Sequence, residues 1–123
     1  MVGARQAKGQ TVEKVVFVNS DRIGEGDDEL GSKLMGSFLY SLARAEVRPE
    51  VVIFMNAGVN LTCRGSEALD DLRLLDEDGV HIYSCGTCLD WLDLRDQLAV
   101  GEVGTMSDTV ELFMTASDVV SVG

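Results

Sequence analysis

The chain is short of basic residues and of long apolar runs, and each shortage excludes a class of protein. It has 10 lysines and arginines against 21 aspartates and glutamates, a formal net charge of −11. Nucleic acids and anionic membranes are bound by basic surfaces, so we expect neither as a partner, whereas a basic protein would suit this charge. No apolar run approaches the roughly 20 residues that a membrane-spanning helix needs.

Cysteine is scarce as well, with three residues, two of which form a single C-x-x-C. This odd number does not suit a disulfide framework, so the reducing cytoplasm is the expected location. The first 11 residues lack the apolar stretch of a secretory signal. A length of 123 residues predicts one domain with a single core, over residues 13–123, preceded by a tail or linker over residues 1–12.

Short apolar runs alternate with amphipathic stretches along the chain. Strands are predicted at 14–19, 51–55, 80–84, 101–106 and 118–122, and helices at 29–46, at 90–98, and after the capping residues Ser66 and Ser107. Alternating strands and helices imply right-handed crossovers. The predicted fold is therefore α/β, with a mainly parallel five-stranded sheet and helices on both faces.

The stretch Cys85-Gly86-Thr87-Cys88 is the most informative in the chain, because it follows the third predicted strand and precedes a helix. A thiol at a helix N-terminus faces free N–H groups and the positive end of the helix dipole, which favour the reactive thiolate. We therefore expect Cys85 to be a solvent-accessible nucleophile and Cys88 to be its resolving partner. Gly86 would let the backbone turn sharply and leave the sulfur open.

Ligands and chemistry in parallel α/β sheets lie outside the carboxyl ends of the strands. Three loops meet this description, at 20–28, 56–65 and 85–88. The residues expected to support the thiols from these loops are Ser20, Asp21, Asn56, Gly58, Gly86 and Thr87. We expect the loops that begin at Ser20 and Asn56 to be neighbours of the thiols.

Two other sites are weaker interpretations of the sequence. Cys63 and His81 could complete four zinc ligands with the C-x-x-C, but no second paired spacing is present, so no metal is predicted. The segment 21–29 superficially resembles a phosphate loop, yet its acids would repel phosphate and no lysine motif is present. We therefore predict no cofactor, and a helix cap at Asp27 or Asp28 explains the acids better than a cation site.

Two residues directly after the thiols have alternative interpretations. Asp90 suits the first turn of a helix but would oppose a nearby thiolate. Trp91 is predicted to pack over the motif and shield it, and the alternative is a role in an interface.

Seven segments between residues 13 and 122 together match a known pattern. They are NSD at 19–21, GEGDDELG at 24–31, LM at 34–35, FL at 38–39, FMNAGV at 54–59, SCGTCLD at 84–90 and VGEV at 100–103. With these segments the chain resembles the DsrE/DsrF-like family. It is most similar to the C-terminal domain of YedF-type proteins, described as sulfurtransferase-like and associated with selenium metabolism.

This resemblance implies a three-layer α/β/α sandwich and a role in sulfur relay within homo- or hetero-oligomers. In related DsrE and TusD proteins a cysteine after the third strand carries persulfide sulfur, and Cys85 matches that residue by position. Cys88 belongs to the YedF-type pattern. Those proteins usually begin with a TusA-like domain carrying Cys-Pro-x-Pro, which is absent here, so the resemblance implies a stand-alone domain or a fragment and a TusA-like sulfur donor or acceptor.

The predicted function is the relay of sulfur, or of selenium, as a persulfide on Cys85 that Cys88 resolves or releases. One alternative is a non-catalytic oligomeric subunit that binds a partner. Another is a C-x-x-C dithiol redox protein. Thioredoxin-like chains carry this motif after the first strand and face it with a cis-proline, whereas the single proline here is Pro49 at a helix end, so the redox hypothesis is weaker.

Overall fold

The computed structural model describes residues 12–123. The tail predicted over residues 1–12 lies outside this range except for Val12, which is buried and begins the first strand. No helix in the described range combines the length and the apolar character needed to cross a membrane.

Strands and helices alternate as the sequence predicts. In chain order the elements are β1 (Val12–Val18), α1 (Asp28–Arg44), β2 (Val51–Phe54), a first 3₁₀ helix (Asn56–Thr62), α2 (Leu69–Glu77), β3 (His81–Cys85), α3 (Gly86–Trp91), a second 3₁₀ helix (Arg95–Gln97), β4 (Glu102–Gly104), α4 (Met106–Thr115) and β5 (Ala116–Val122).

All five strands form one sheet in the order β4-β3-β2-β1-β5, and every neighbouring pair is parallel. The predicted α/β fold with a five-stranded sheet flanked by helices is confirmed. Because the strands are parallel, the segments that follow β1, β2 and β3 leave from the same edge of the sheet. This edge therefore brings together the loops in which the sequence places its candidate residues.

The two faces of the sheet are covered unequally. Successive strand residues point to opposite faces, so Val16 and Val18 join the larger core cluster beneath α1 and α2, whereas Val15 packs in a smaller cluster with Leu112 of α4. The larger cluster extends to Cys85, at the carboxyl edge. The candidate site thus lies on the rim of the main core.

Helix α1 buries a different stripe from the one its leucines indicate. Apolar residues at every fourth position predict a stripe of Leu30, Leu34, Phe38 and Leu42, with Met35 and Leu39 beside it. Leu30 and Leu34 are exposed, whereas Met35 and Leu39 are buried as expected, together with Gly31 and Ala43. A Cβ atom on Gly31 would lie 3.0 Å from Cβ of Arg22 and 3.2 Å from the carbonyl oxygen of Ile23. The absent side chain lets α1 lie against the preceding loop, and this contact sets the rotation of the helix.

Side chains cap two of the α-helices in the described range, and two predicted caps, at Ser66 and Ser107, are wrong. The Asp27 carboxylate accepts a hydrogen bond from the backbone N–H of Leu30 at 2.9 Å, which confirms the cap of α1. Thr105 rather than Ser107 caps α4, because the strand before it ends earlier than predicted. Ser66 accepts from the N–H of Ala68 but lies before α2 and does not cap it.

Replacement of the α1 cap should destabilise the protein. Asp27→Ala removes the acceptor for the Leu30 N–H, so we expect a loss of about 1 kcal/mol in the free energy of unfolding, measured with urea. Asp28→Ala is the matched control, since its carboxylate lies 2.8 Å from the Arg22 guanidinium on the surface. The control should cost about 0.5 kcal/mol or less; equal losses would contradict the assigned cap.

Candidate functional site

Cys85 is the last residue of β3 and the N-cap of α3. Its side chain is 7% exposed and belongs to the larger core cluster together with Leu89. The expectation of a freely solvent-accessible sulfur is therefore wrong. The physical reason is that α3 begins at Gly86 with no intervening loop, whereas the sequence predicted a helix at 90–98.

Cys88 is the more accessible thiol of the pair. It lies half-buried in the first turns of α3, where its Sγ accepts a hydrogen bond from the backbone N–H of Asn56 at 3.1 Å. Asn56 has φ of +52°, a left-handed conformation that asparagine tolerates better than most residues. The loop after β2 thus contacts the thiols, at the position expected from the sheet topology.

The two thiols are free and interact with each other. Burial raises the pKa of the Cys88 thiol above its ordinary value of 9.0. The neighbouring Cys85 raises this pKa further, through a hydrogen bond and through its charge, whereas the hydrogen bond from the Asn56 N–H lowers it. The Cys88 thiol therefore stays protonated at neutral pH, next to Cys85.

Arg95 stabilises helix α3 by hydrogen bonds, a role that the sequence analysis did not predict. Its Nε lies 2.6 Å from Oδ1 of Asp90 and its Nη2 lies 2.9 Å from Oδ2, while Nη2 also donates to the carbonyl oxygen of Gly86 at 3.3 Å. Hydrogen bonds from Arg95 hold the pKa of Asp90 below its ordinary value. The Asp90 carboxylate, expected to oppose a thiolate, is thus paired with a cation.

Gly86 is needed for close packing rather than for the sharp turn that we expected. Its φ is not positive, but a Cβ atom at this position would lie 3.0 Å from both Arg95 Nη2 and Val103 Cγ1. The missing side chain lets the Arg95 guanidinium and β4 approach the start of α3. Thr87, the next residue, is exposed.

A pair of buried hydroxyls joins the first 3₁₀ helix to β3 directly before Cys85. The Oγ atoms of Thr62 and Ser84 lie 2.8 Å apart, and Thr62 also donates to the carbonyl oxygen of Val59 at 2.9 Å. Both hydroxyls are fully buried. In the sequence, Ser84 stands out only as a polar residue within an apolar strand, and this does not reveal that Thr62 is its hydrogen-bond partner.

Gly58 positions the same 3₁₀ helix against β1. A Cβ atom on Gly58 would lie 2.4 Å from the carbonyl oxygen of Val18. This approach explains why glycine stands there and keeps the segment that begins at Asn56 in contact with the sheet edge. Gly58 therefore supports the thiols through Asn56 and not by direct contact.

Ser20 and Asp21 lie in the adjacent loop and reach the thiols less directly. The Ser20 hydroxyl accepts from the backbone N–H of Arg22 at 3.1 Å, and Asp21 accepts from the Asn60 side chain at 3.4 Å. Within residues 12–123 no hydrogen bond joins either residue to Cys85 or Cys88. The loop after β1 thus contacts the 3₁₀ helix rather than the sulfur atoms.

Cys63 and His81 do not join the thiol pair. Cys63 is buried, its thiol donates to the carbonyl oxygen of Val59 at 3.2 Å, and burial raises its pKa. His81 stacks on Tyr83 with ring centroids 6.2 Å apart. Among the residues that the structure describes, no group of three or more histidine, cysteine or acidic side chains could hold a metal ion.

Trp91 does not pack over the motif, and that prediction is wrong. Its side chain is 87% exposed at the end of α3. The apolar residues that cover this helix are Leu89, within it, and Leu94, beyond it. The alternative role of Trp91 in an interface is therefore the interpretation compatible with its position.

A groove of about 1150 Å³ runs along the outer side of α1 and the segment before α2. Its lining includes Asp21 and Asn60 but neither thiol. The thiol pair therefore lies outside this groove.

Substitution of Gly58 should disturb the site, whereas the same change on α1 should not. Gly58→Ala forces the 3₁₀ helix away from Val18, so we expect a loss of roughly 1–3 kcal/mol in the free energy of unfolding. Gly36→Ala is the matched control, because a Cβ atom there meets nothing within 4 Å. It should stabilise α1 by about 0.5–1 kcal/mol. Urea denaturation measures both, and a Gly58→Ala protein as stable as wild type would contradict the close approach.

Comparisons with known proteins identify the fold. The sequence matches no protein-family model and no curated protein. The crystal structure of the ychN protein from E. coli superposes with a TM-score of 0.68 at 18% identity, over 90% of this chain and 99% of that one. The structure of MTH1491, a protein of unknown function from Methanobacterium thermoautotrophicum, gives 0.57 at 25% identity, over 86% and 98%. The protein has a DsrE-like fold.

Proposed function

We propose that this protein relays sulfur as a persulfide on Cys85, with Cys88 as the resolving thiol. The observation that carries the proposal is the position of the two thiols: Cys85 ends β3 at the carboxyl edge of the sheet and caps α3, and Cys88 lies in the first turn of that helix, where the Asn56 N–H contacts its sulfur at 3.1 Å. The thiolate is the nucleophilic form of cysteine, and a second thiol so close in the chain can resolve a persulfide on the first.

The loading step needs a donor persulfide. The Cys85 thiolate attacks the outer sulfur of the donor, the donor S–S bond breaks, and the donor leaves as a thiolate that takes up a proton. Cys85 then carries the outer sulfur as a persulfide. Because Cys85 is 7% exposed, the surrounding core limits the access of water and of other thiols to that sulfur.

Two release steps use the same pair of residues. An acceptor thiolate can attack the outer sulfur, so that the sulfur leaves with the acceptor and Cys85 departs as a thiolate. Alternatively, deprotonated Cys88 attacks the inner sulfur, which forms a Cys85–Cys88 disulfide and expels hydrosulfide. Selenium can replace sulfur in either sequence, and the proposal includes it.

The DsrE-like fold is consistent with a sulfur-relay family and supports the proposal at that coarser level. The similarity to YedF-type domains, the cytoplasmic location, a TusA-like protein as donor or acceptor, and assembly into a homo-oligomer are further parts of the proposal. They rest on the segments quoted from the sequence and on its cysteine usage.

A dithiol redox function is the second candidate, and the interaction between the two thiols favours it. Sulfur atoms that share a hydrogen bond can close a disulfide with little movement. The two candidates differ in what the protein retains: a redox protein loses two hydrogen atoms on oxidation, whereas a relay protein gains a sulfur atom.

Mass spectrometry after incubation with a small-molecule persulfide tests the proposal. We expect wild type to gain the mass of one sulfur atom, which a reductant removes. The gain should persist in Cys88→Ser, where resolution is blocked, and vanish in Cys85→Ser. Cys63→Ser is the matched control and should behave as wild type, because Cys63 is buried away from the pair.

No gain of sulfur in Cys88→Ser, where resolution is blocked, would contradict the proposal, as would a gain that persists in Cys85→Ser. Because resolution by Cys88 also forms the disulfide, the redox candidate is favoured only where wild type loses two hydrogen atoms and Cys88→Ser retains no sulfur.

A further inference from the structure

Trp91 is the single tryptophan of the chain, and its side chain is exposed to solvent near the thiols in the sequence. It is 87% exposed, and Leu92, the next residue, is 41% exposed. Trp91 follows Cys88 by three residues on α3, a spacing that makes side chains neighbours on a helix surface. A large apolar side chain next to a reactive group is a feature of docking surfaces.

Helix geometry makes Trp91 a neighbour of Cys88 on the surface of α3. Residues three apart on a helix lie on the same side of it, and the Trp91 side chain stays 87% exposed. The indole is therefore open to a molecule that approaches this side of the helix from solvent. Hydrogen bonds from Arg95 to Asp90 and Gly86 hold this short helix in place, so the surface is already formed before a partner binds.

The charge around this surface indicates the chemistry of its occupant. Three carboxylates, of Asp90, Asp93 and Asp96, lie within five residues of Trp91 in the chain, and the one cation among them, Arg95, is bound by Asp90. Asp93 and Asp96 follow Trp91 closely and are exposed. A second copy docked here would bring like charges together, whereas a basic polypeptide would be attracted, and its lysines or arginines could lie on the indole face.

We propose that Thr87, Trp91 and Leu92 form a docking surface for a basic polypeptide that brings its sulfur atom to the thiol pair. The sulfur part rests on the proposed function. The docking part rests on the exposure of Trp91, the helix geometry and the charge, and it is tested without any sulfur chemistry.

Trp91 fluorescence gives a direct readout, since no other tryptophan contributes. The full chain is titrated with a synthetic lysine- and arginine-rich peptide that carries serine where a donor would have cysteine, and with a glutamate-rich peptide of equal length. We expect a saturable change in emission with the cationic peptide alone, and weaker binding as salt screens the charges.

Calorimetric titration of the same cationic peptide tests the contribution of the indole. Trp91→Ala should weaken binding roughly tenfold, as for an aromatic side chain at the centre of an interface. Trp91→Phe should recover part of that loss. Met114→Ala is the matched control, because Met114 is 77% exposed on α4 and should leave the affinity unchanged.

Three results would overturn the proposal: equal binding of the cationic and acidic peptides, unchanged affinity in Trp91→Ala, or Trp91 emission that changes with protein concentration alone. The last result would assign the surface to a second copy of the chain. The outcome is independent of persulfide loading, because the peptide carries no sulfur and no donor persulfide is present.

Discussion

The position of Cys88 next to Cys85 is the constraint on which the proposed chemistry depends. Strand β3 ends at Cys85 and α3 begins at the next residue, so the second thiol of the C-x-x-C lies in the first turn of the helix. Burial and Cys85 raise the pKa of Cys88, while the Asn56 N–H contacts that sulfur at 3.1 Å. The pair therefore has a buried sulfur at the end of the strand and a more accessible thiol beside it, an arrangement compatible with the proposed persulfide relay.

The surroundings of the pair fix this geometry through contacts between distant parts of the chain. The Thr62 and Ser84 hydroxyls join the first 3₁₀ helix to β3, and the bare backbone of Gly58 lets the same helix touch β1. On the other side Arg95 holds α3 by its bonds to Asp90. The parallel sheet supplies the common edge, and these contacts place the sulfur atoms within it.

The fold could be predicted because its signals are local. β-Branched runs, helical periodicity and the alternation of the two define a parallel sheet, and this topology brings Asn56 to Cys88 as expected. The burial of Cys85, the bonds of Arg95 and the exposure of Trp91 were missed, since each depends on where α3 begins. The C-x-x-C pattern marks the thiols but does not reveal that the helix starts within it, at Gly86.

Site-resolved alkylation is the most direct test of the raised pKa of Cys88. Reduced wild-type protein is treated with a limiting amount of iodoacetamide over a range of pH, and the modified cysteines are identified by peptide mass mapping. We predict that Cys88 reacts only as the pH rises beyond its ordinary pKa of 9.0, that Cys85→Ala moves this reaction to lower pH because Cys85 raises the pKa of Cys88, and that buried Cys63 stays unlabelled until the protein unfolds. Rapid labelling of Cys88 at neutral pH, or a Cys88 profile that Cys85→Ala leaves unchanged, would contradict the account.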